Sequence, residues 1–443
     1  MRIVIVGNGE IAEHLAEILS NESQDVIVVS EDKESLASID ALCNVLTHCG
    51  NPLTVETLSA VDMPSCKMFF SMLPSDSANV VACSLAKSLG ARIAMARISD
   101  YSLMSEANRA RFKEIGVDVP VNYESLAASE IMSLLMRPWA KSWTEFFGGD
   151  IVVAAVRVDK GSEYNGVSLS ELDGTSRNFH VGIIMRGGST IIPCGHDVMR
   201  EGDILYVAVP KGSVRYLARI WGKPEPHIRR VVIMGGSEIG VRLSNAPGAS
   251  ALSIKIIEKD EAKARWIQQI ARNCTVINGD GRKMGMLEYA GQADAYLALS
   301  KSDEANILAC VTAAEMGIPY QAAVVNDLQN IALAELLDVN AVINRTVLAA
   351  NLVFRQLLDS DTPASSAMAL TDAEIVSLTA RPGSPITKAP VRSLRLPSEI
   401  TLMALVHDGN GALVTGDTHI APGDRVVAAC RAGFLPKVQL LFV

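Results

Sequence analysis

The stretch Gly7-Asn8-Gly9-Glu10-Ile11-Ala12 has residue types and a spacing that can hold a pyrophosphate group. It follows the apolar run at residues 2–6 and precedes a helical pattern at residues 13–19. In such a unit the first glycine allows a tight turn and the second lets a phosphate approach the backbone, while a small third residue lets helix and strand pack closely. The helix N-terminus faces the phosphate charge. We therefore predict a nucleotide cofactor site at Gly7 to Ile11, although such a turn can also serve packing alone.

The same arrangement occurs a second time in the chain. Residues 230–234 lead into Gly235-Gly236-Ser237-Glu238-Ile239-Gly240, and Gly235 is as far from Gly7 as Glu238 is from Glu10. Farther along, SDSANVVAC at residues 75–83 is matched by SDEANILAC at residues 302–310. Near-identity in register implies that the chain contains two copies of one unit. The second loop is therefore a second candidate cofactor site, with Gly235, Ser237, Glu238 and Ile239 as its candidate contacts.

The two copies differ where a nucleotide would make its other contacts. An acidic residue at the end of the second strand accepts hydrogen bonds from ribose hydroxyls. Glu258 has this place in the second copy, whereas the first copy has Ser30, followed by Glu31. The second loop in turn has Ser237 in place of a glycine, and its side chain would crowd a pyrophosphate at closest approach. This pattern predicts either two non-equivalent sites or one functional and one decayed site.

Further candidate contacts follow later strands, because ligands of such sheets bind beyond the carboxyl ends of the strands. These candidates are Leu73, Asp76 and Arg97 in the first copy and Asp280, Ser300 and Asp303 in the second. We align Gly279-Asp280-Gly281 with His48-Cys49-Gly50, so that the first copy departs from the Gly-Asp pattern. There are structural alternatives. Ser75 or Asp76 could instead cap a helix that begins at Ser77. Arg97 could be a solvated residue at a strand end, and Glu31 could be a charge at the start of a helix.

The pattern of elements predicts an α/β fold. Apolar runs at residues 25–29, 44–47, 67–72 and 92–97 alternate with helical patterns, which indicates a doubly wound parallel, Rossmann-like sheet in each copy. Residues 151–221 instead have short strands separated by turn signals such as Gly187-Gly188 and Gly202-Asp203. They predict a small α+β module with mostly antiparallel strands after each Rossmann-like domain.

A helix with one apolar face is predicted between the first sheet and its small module. Apolar residues recur at three- and four-residue spacings over Tyr123–Arg137, and Pro138 should end or kink the helix. Such a helix is a candidate dimer element, the alternative being a helix packed only on its own domain. The predicted boundaries are a first Rossmann-like domain at 1–129, a linker helix at 130–150, a small module at 151–224, a second Rossmann-like domain at 228–343, a linker helix and loop at 344–373, and a second small module at 374–443.

Composition limits the class of protein. Hydrophobic residues make up 49% of the 443 residues and aromatic residues only 5%, which suits buried parallel strands. The net charge of −9 and the absence of a basic run argue against nucleic acid as a partner. No apolar run reaches the roughly 18 residues of a membrane span, and no signal peptide is evident. We therefore expect a cytoplasmic protein. The eight cysteines are scattered, so we predict no metal site.

Taken together, the motifs resemble the RCK family, the regulators of K+ conductance, in its tandem form without membrane segments. The resemblance covers essentially the whole chain. It is carried by the first glycine loop, Ser75-Asp76-Ser77-Ala78-Asn79, Ala96-Arg97-Ile98, Gly279-Asp280-Gly281, Ser302-Asp303-Glu304-Ala305-Asn306 and the Gly-Asp strand starts of the small modules. Each motif is modest alone, but their order and duplication are specific.

The resemblance implies the cytosolic regulatory subunit of a Trk-type potassium uptake transporter, and not an enzyme with catalytic residues. It implies binding of NAD(H), ATP or ADP in the RCK-N clefts, and self-association as a homodimer or homotetramer ring beneath an integral membrane, TrkH- or TrkG-like subunit. Ligand-dependent rearrangement of the ring would open or close the ion path. Alternatives are the regulatory part of a potassium efflux system or channel, and a nicotinamide-dependent oxidoreductase.

Overall fold

A computed structural model describes residues 2–21, 25–174, 178–221, 227–359, 367–370 and 372–443. The chain forms two compact units. The first unit contains Met1–Leu126 together with Arg345–Val353, and the second contains Ala127–Asn344 together with Phe354–Val443. The first unit thus takes in a helical segment that follows the second Rossmann-like domain in sequence.

The first Rossmann-like domain has a six-stranded sheet in which every neighbouring pair of strands is parallel. The strand order is β3-β2-β1-β4-β5-β6, so that the direction of winding reverses between β1 and β4. Strands β1 and β4 are mostly apolar and almost fully buried, as expected for a sheet with helices on both faces. The strands are β1 (Arg2–Val6), β2 (Asp25–Ser30), β3 (Leu46–Cys49), β4 (Cys66–Ser71), β5 (Ile93–Arg97) and β6 (Val119–Val121).

Polar side chains start the helices of this domain. Asp32 caps α2, and Ser75 caps α4 by accepting a hydrogen bond from the N–H of Ala78. The alternative that Ser75 is a capping residue is therefore confirmed, with the helix one residue earlier than predicted. The helices are α1 (Glu10–Asn21), α2 (Lys33–Leu42), α3 (Val55–Ser59), α4 (Asp76–Ser88), α5 (Glu106–Glu114) and α6 (Tyr123–Leu135).

The first small module is an antiparallel sheet with the strand order β10-β9-β11-β8-β7. Its elements are β7 (Ser142–Phe146), β8 (Ile151–Arg157), β9 (His180–Arg186), β10 (Ser189–Ile191), β11 (Ile204–Pro210) and α7 (Val214–Ile220). The prediction of a linker helix over residues 130–150 is wrong in its second half. Helix α6 ends at Leu135, because Pro138 cannot continue a helix, and Ser142–Phe146 forms a strand that pairs antiparallel with β8.

The second Rossmann-like domain repeats the first, with the parallel strand order β14-β13-β12-β15-β16-β17. The duplication of the fold is therefore confirmed at the level of topology. The strands are β12 (Arg230–Met234), β13 (Ser253–Glu258), β14 (Cys274–Asn278), β15 (Ala295–Ala298), β16 (Tyr320–Val324) and β17 (Ala341–Ile343). The helices are α8 (Glu238–Asn245), α9 (Glu261–Ile270), α10 (Met284–Ala290), α11 (Asp303–Glu315), α12 (Leu328–Leu336) and α13 (Arg345–Asp359).

The second small module has the strand order β18-β19-β22-β20-β21, again antiparallel. Its elements are β18 (Ala367–Ala369), β19 (Ala373–Thr379), β20 (Ile400–His407), β21 (Asn410–Leu413), β22 (Arg425–Arg431) and α14 (Leu435–Phe442). The predicted linker at 344–373 is wrong at its end, because Ala367–Ala369 pairs with β19. Residues 360–366 and 371 of that predicted linker lie outside the described residues.

The two small modules share one apolar core. Side chains of both sheets, among them Ile183 from β9 and Met403 from β20, belong to a single buried cluster. The two modules therefore pack on each other inside the second unit, and the burial of this surface stabilises both.

Candidate functional site

The first glycine loop connects β1 to α1 at the carboxyl edge of the sheet. Gly7 has a φ of 137°, and a Cβ atom there would lie 3.1 Å from the carbonyl oxygen of Met72, so this position requires glycine. A Cβ at Gly9 would meet nothing within 4 Å. Glu10 and Ile11 begin α1 directly after this open position. The loop therefore places a helix N-terminus beside free space, as a phosphate site requires.

The second loop has the same backbone plan but different side chains. Gly235 has a φ of 95°, and a Cβ there would lie 3.0 Å from the backbone nitrogen of Ser300. Ser237 caps α8, since its Oγ accepts a hydrogen bond of 3.4 Å from the N–H of Gly240. Glu238 forms an ion pair of 2.7 Å with Arg242 in the next turn, and Ile239 is buried. These side chains serve the local structure of the loop and its helix.

Glu258 lies at the end of β13, where the sequence predicts a ribose acceptor. Its carboxylate accepts hydrogen bonds of 2.8 Å from the N–H of Gly236 and 2.9 Å from that of Asp260, and Lys263 Nζ lies 3.4 Å away. Burial acts to raise the pKa of Glu258, but the two N–H groups and the Lys263 charge outweigh it and lower the pKa from its ordinary value. Glu258 is thus an ionised acceptor held against the glycine loop.

The residue equivalent to Glu258 in the first copy is Ser30, whose side chain is uncharged and smaller. Ser30 is buried and its Oγ accepts a hydrogen bond of 3.1 Å from the N–H of Asp32. The side-chain amide of Asn8 donates a hydrogen bond of 3.3 Å to the carboxylate of Asp32, and the Glu31 side chain is exposed. The size of the residue at the end of the second strand is therefore matched to the second residue of the glycine loop. The first copy combines the small Ser30 with Asn8. The second copy combines the larger Glu258 with Gly236, where a Cβ would lie 2.9 Å from the carboxylate.

The third strands of the two sheets correct the sequence alignment. Ser30 pairs with Cys49 and Glu258 pairs with Asn278, and the next residues, Gly50 and Gly279, donate to the carbonyl oxygens of Ser30 and Glu258. Asp280 is therefore equivalent to Asn51, and the alignment of Gly279-Asp280-Gly281 with His48-Cys49-Gly50 is wrong by two positions. Strand pairing sets this register: the offset between equivalent residues is 228 at Ser30 and 229 at Gly50, whereas the alignment of His48 with Gly279 requires 231.

Asp280 is bound to a neighbouring arginine. Its two carboxylate oxygens accept hydrogen bonds of 2.9 and 2.7 Å from Nε and Nη2 of Arg282. This pairing lowers the pKa of Asp280 to about 2. Asn51 retains the turn but not the charge, since its Oδ1 accepts from the N–H of Leu53 just as Asp280 accepts from Arg282.

A buried asparagine, which is not among the predicted contact residues, joins the ends of two strands in each copy. Asn79 accepts hydrogen bonds of 2.7 Å from Ser71 Oγ and the N–H of Leu73, and donates to the carbonyl oxygens of Leu73 and Arg97 at 2.9 and 3.0 Å. Asn306 likewise binds Ser300 and the carbonyl oxygen of Val324. Leu73 and Ser300 therefore lie at the predicted edge. The signal that could have identified these asparagines is their recurrence in SDSANVVAC and SDEANILAC.

The two predicted aspartates beside these asparagines bind backbone groups. Asp76 accepts hydrogen bonds of 2.8 and 2.9 Å from the N–H groups of Ser99 and Asp100. Asp303 accepts equivalent bonds of 2.8 and 2.9 Å from Asn326 and Asp327. Both carboxylates thus hold the loop that follows the fifth strand at the carboxyl edge of the sheet.

Arg97 is the cation at the end of β5. Its guanidinium lies over the ring of Tyr123, 5.8 Å from the centroid, and its buried Nε has no hydrogen-bond partner among the residues that the structure describes. Tyr123 is the first residue of α6, and burial raises the pKa of its hydroxyl. Val324 has the equivalent place in the second copy, as the matching bonds from Asn79 and Asn306 show. At this position the first copy therefore has a cation, whereas the second copy has an apolar side chain.

The sequence also matches known families of domains. The family model of the TrkA-N domain matches residues 3–122 and 231–345, which together exceed half of the chain. The TrkA-C domain model matches residues 153–222. The chain belongs to the TrkA family. The two TrkA-N matches coincide with the two parallel sheets, and the TrkA-C match lies within the first small module.

Members of the TrkA family match the whole chain. Trk system potassium uptake protein TrkA homolog 2 of Methanosarcina mazei is 25% identical over 454 residues, covering 100% of both chains. Among solved structures, the GsuK RCK domain has a TM-score of 0.62 at 17% identity and covers 99% of this chain and 94% of that one. The GsuK channel bound to NAD has a TM-score of 0.62 at 16% identity, covering 100% and 78%. These structures show that the fold is that of RCK domains.

The described residues contain neither a membrane-spanning helix nor a group of metal ligands. None of the helices in the described part of the chain is both long and apolar enough to cross a membrane. Within the same residues, no three histidine, cysteine, aspartate or glutamate side chains converge as a group that could hold a metal ion.

Proposed function

We propose that this chain is a regulatory subunit of a Trk-type potassium uptake system, which binds NAD(H), ATP or ADP in its Rossmann-like clefts. The relatives named as Trk system potassium uptake proteins support the transport role, and the NAD-bound RCK neighbour supports the ligand class. The observation that carries the ligand proposal is the glycine loop at the switch point between β1 and β4, with open space at Gly9. In a homodimer or a homotetramer ring of this chain, such ligands would control an integral membrane subunit from the cytoplasmic side.

The first cleft is proposed to hold a nucleotide mainly by its phosphates. The open position at Gly9 and the N-terminus of α1 offer backbone N–H groups to an anion. Arg97 adds a charge that can pair with phosphate. Asn8, Ser30, Glu31, Leu73 and Asp76 would line or support this cleft.

The second cleft is proposed to read the ribose instead. Glu258 is ionised and held by two backbone N–H groups, which leaves acceptor capacity on its carboxylate for the ribose hydroxyls. The side chain of Ser237 reduces the space for a phosphate at the second loop, and Val324 stands at the position that Arg97 has in the first cleft. The two clefts are therefore non-equivalent in this proposal, with different balances of phosphate and ribose contacts.

A regulator fits these groups better than an oxidoreductase does. General acid–base catalysis needs a group whose pKa lies near the working pH. The pKa values of Glu258 and Asp280 are both lowered, so these carboxylates stay ionised and act as acceptors. Sustained oxidation of NADH by the purified chain with any candidate substrate would overturn this part of the proposal.

The proposed output passes through the helices that follow each Rossmann-like domain. A ligand shifts a protein between two states only by its different affinity for each. Arg97 touches Tyr123 at the start of α6, and Glu124 of the same helix lies 3.8 Å from Arg345 at the start of α13. A phosphate that draws Arg97 toward the glycine loop would therefore change the contact that seats α6.

Calorimetric titration of the intact chain with NADH, NAD, ATP and ADP tests ligand binding. Gly9→Val should abolish binding in the first cleft, because the new side chain would occupy the space that the phosphate needs. Gly161→Val is the matched control, since a Cβ at Gly161 also meets nothing within 4 Å but lies in the first small module. Binding of none of the four nucleotides would sink the proposal, as would unchanged affinity in the Gly9→Val variant.

Co-purification with a membrane potassium-translocating subunit tests the transport role. The intact chain should associate with that subunit, and nucleotide should change the potassium flux of reconstituted vesicles. The sign of the flux would distinguish uptake from efflux. Failure to associate with any potassium-translocating subunit would refute the role as a regulator, even if nucleotides bind.

A further inference from the structure

Both small modules begin their last long strand with a buried aspartate. Asp203 precedes β11 and is fully buried, and Asp424 precedes β22 with 4% of its surface exposed. Each carboxylate accepts a hydrogen bond from the N–H three residues earlier, at 2.7 Å from Arg200 and 2.8 Å from Ala421. A carboxylate removed from water also needs an opposite charge nearby. The two modules supply that charge differently.

In the first module the partner is Arg186, the last residue of β9. Its Nε and Nη2 donate to the two carboxylate oxygens of Asp203 at 2.8 and 2.7 Å, and Nη2 also donates to the carbonyl oxygen of Val198. The guanidinium of arginine remains protonated in proteins at any physiological pH. The charge opposite Asp203 is therefore permanent.

In the second module the same position is held by His407, the last residue of β20. The register establishes this equivalence, because Ile204 pairs with Met185 just before Arg186, and Arg425 pairs with Val406 just before His407. His407 Nδ1 lies 2.5 Å from Asp424 Oδ1, and 57% of the histidine side chain is exposed to solvent. The charge opposite Asp424 therefore depends on a proton that exchanges with water.

We propose that His407 and Asp424 form a proton-binding site that makes the second small module sensitive to pH, while the first module, with Arg186, is insensitive. The ionisable groups that act on the imidazole are Asp424 and Asp408, whose Oδ2 lies 3.6 Å from Nε2. Both are acidic, so both favour the imidazolium. The inference stands on the exchange of arginine for histidine and is independent of nucleotide binding.

The direction of the pH effect follows from linkage. The hydrogen bond to Asp424, and then the charges of Asp424 and Asp408, raise the pKa of His407 above its ordinary value of 6.5. A raised pKa in the folded state means that folding favours the protonated form. The stabilisation is complete below pH 6.5 and is lost as the pH rises through the raised pKa. Above it the neutral imidazole keeps one hydrogen bond but no longer balances the carboxylate.

The site adjoins the contact between the two small modules. Arg425, which follows Asp424, places Nη2 at 3.7 Å from Asp150 of the first module and its guanidinium over the ring of Phe147. Gly411, in the strand after the His407 turn, approaches the same segment, since a Cβ there would lie 2.8 Å from the carbonyl oxygen of Asp150. Loss of the proton therefore loosens a corner whose neighbours on both sides touch the first module.

Histidine-labelled NMR and hydrogen exchange on the intact chain test this inference. The imidazole resonance that disappears in His407→Arg should titrate above pH 6.5. After correction for intrinsic rates, exchange in β20, β22 and residues 147–151 should be several-fold faster at pH 8 than at pH 6. His407→Arg should remove that difference, and Arg186→His should add a new pH dependence to β9 and β11.

His407→Gln supplies a second measurement that does not depend on Arg186→His folding well. Glutamine cannot be protonated, so this variant should show at pH 6 the exchange that the wild type shows at pH 8. A His407 pKa at or below 6.5 would overturn the proposal. So would an unchanged pH dependence of exchange in His407→Arg.

Discussion

Replacing Asn79 by alanine should open the edge of the first cleft. The asparagine side chain is fully buried and makes four hydrogen bonds of 2.7 to 3.0 Å, which tie the end of β4 to the end of β5. Each is worth about 1 kcal/mol, and more where a buried group is left without a partner. Leu73 and Arg97 are only half-buried, so water relieves part of the loss. We expect local destabilisation by about 3–5 kcal/mol.

Hydrogen exchange of the intact chain is the suitable assay, because a chain with several domains need not unfold in one step. Loss of about 3–5 kcal/mol corresponds to a fall in protection of β4 and β5 by roughly a hundred- to several-thousand-fold. The matched control is Asn306→Ala, which should act on β15 and β16 and leave β4 and β5 unchanged. A fall of less than about tenfold in the Asn79→Ala variant would refute the claim that this side chain holds the edge together.

Two further predictions concern the second cleft. Glu258→Gln removes the charge and leaves one of the two N–H groups, of Gly236 or of Asp260, facing an amide N–H₂ group. Affinity for NADH in that cleft should therefore fall by about tenfold or more in calorimetric titration, while affinity in the first cleft should not change. Equal affinity of variant and wild type would contradict the proposed ribose contact. Asp280→Asn removes a carboxylate whose pKa is lowered to about 2, and such a group stabilises the fold above its ordinary pKa of 3.8. The variant should therefore be less stable than the wild type at pH 7, and the gap should narrow as the pH falls from 3.8 towards 2; a gap in thermal unfolding that does not change with pH would show that the Arg282 pair contributes nothing.

Local patterns in the sequence were sufficient for the plan of each copy. The glycine loops, the β-branched strands and the capping residues act over a few positions, so that Gly7, Gly235 and Ser75 could be assigned from their neighbours alone. The match between the copies added information that one copy would not have carried. It identified Glu258 as the equivalent of Ser30, and this equivalence agrees with the structure, since each of the two residues pairs with the last residue of the third strand in its own sheet.

Contacts between distant segments were not accessible in this way. Asp76 carries the pattern of a helix-start residue, yet its carboxylate binds the N–H groups of Ser99 and Asp100, which follow a different strand. The same limit explains the incorrect alignment of His48 with Gly279, because pairing with the second strand sets the register of the third strand, and no local signal in the sequence shows that pairing. The pairing of Ser142–Phe146 with β8 could not be predicted, because this short segment follows a helix and has no local signal that distinguishes it from the remainder of the predicted linker helix.

The sequence by itself determined the duplication, the strand–loop–helix order and the identity of the two glycine loops, because these depend on backbone conformations and periodicities that neighbouring residues impose. The tertiary structure alone decided which polar side chains face the clefts and which hold the walls. Asn79, Glu258 and His407 each act on groups that are 6 to 22 positions away in the chain. Such partners meet only when the register of parallel or antiparallel strands is set. The hydrogen-bond and charge partners of a carboxylate or an imidazole can therefore be identified only from the folded sheet.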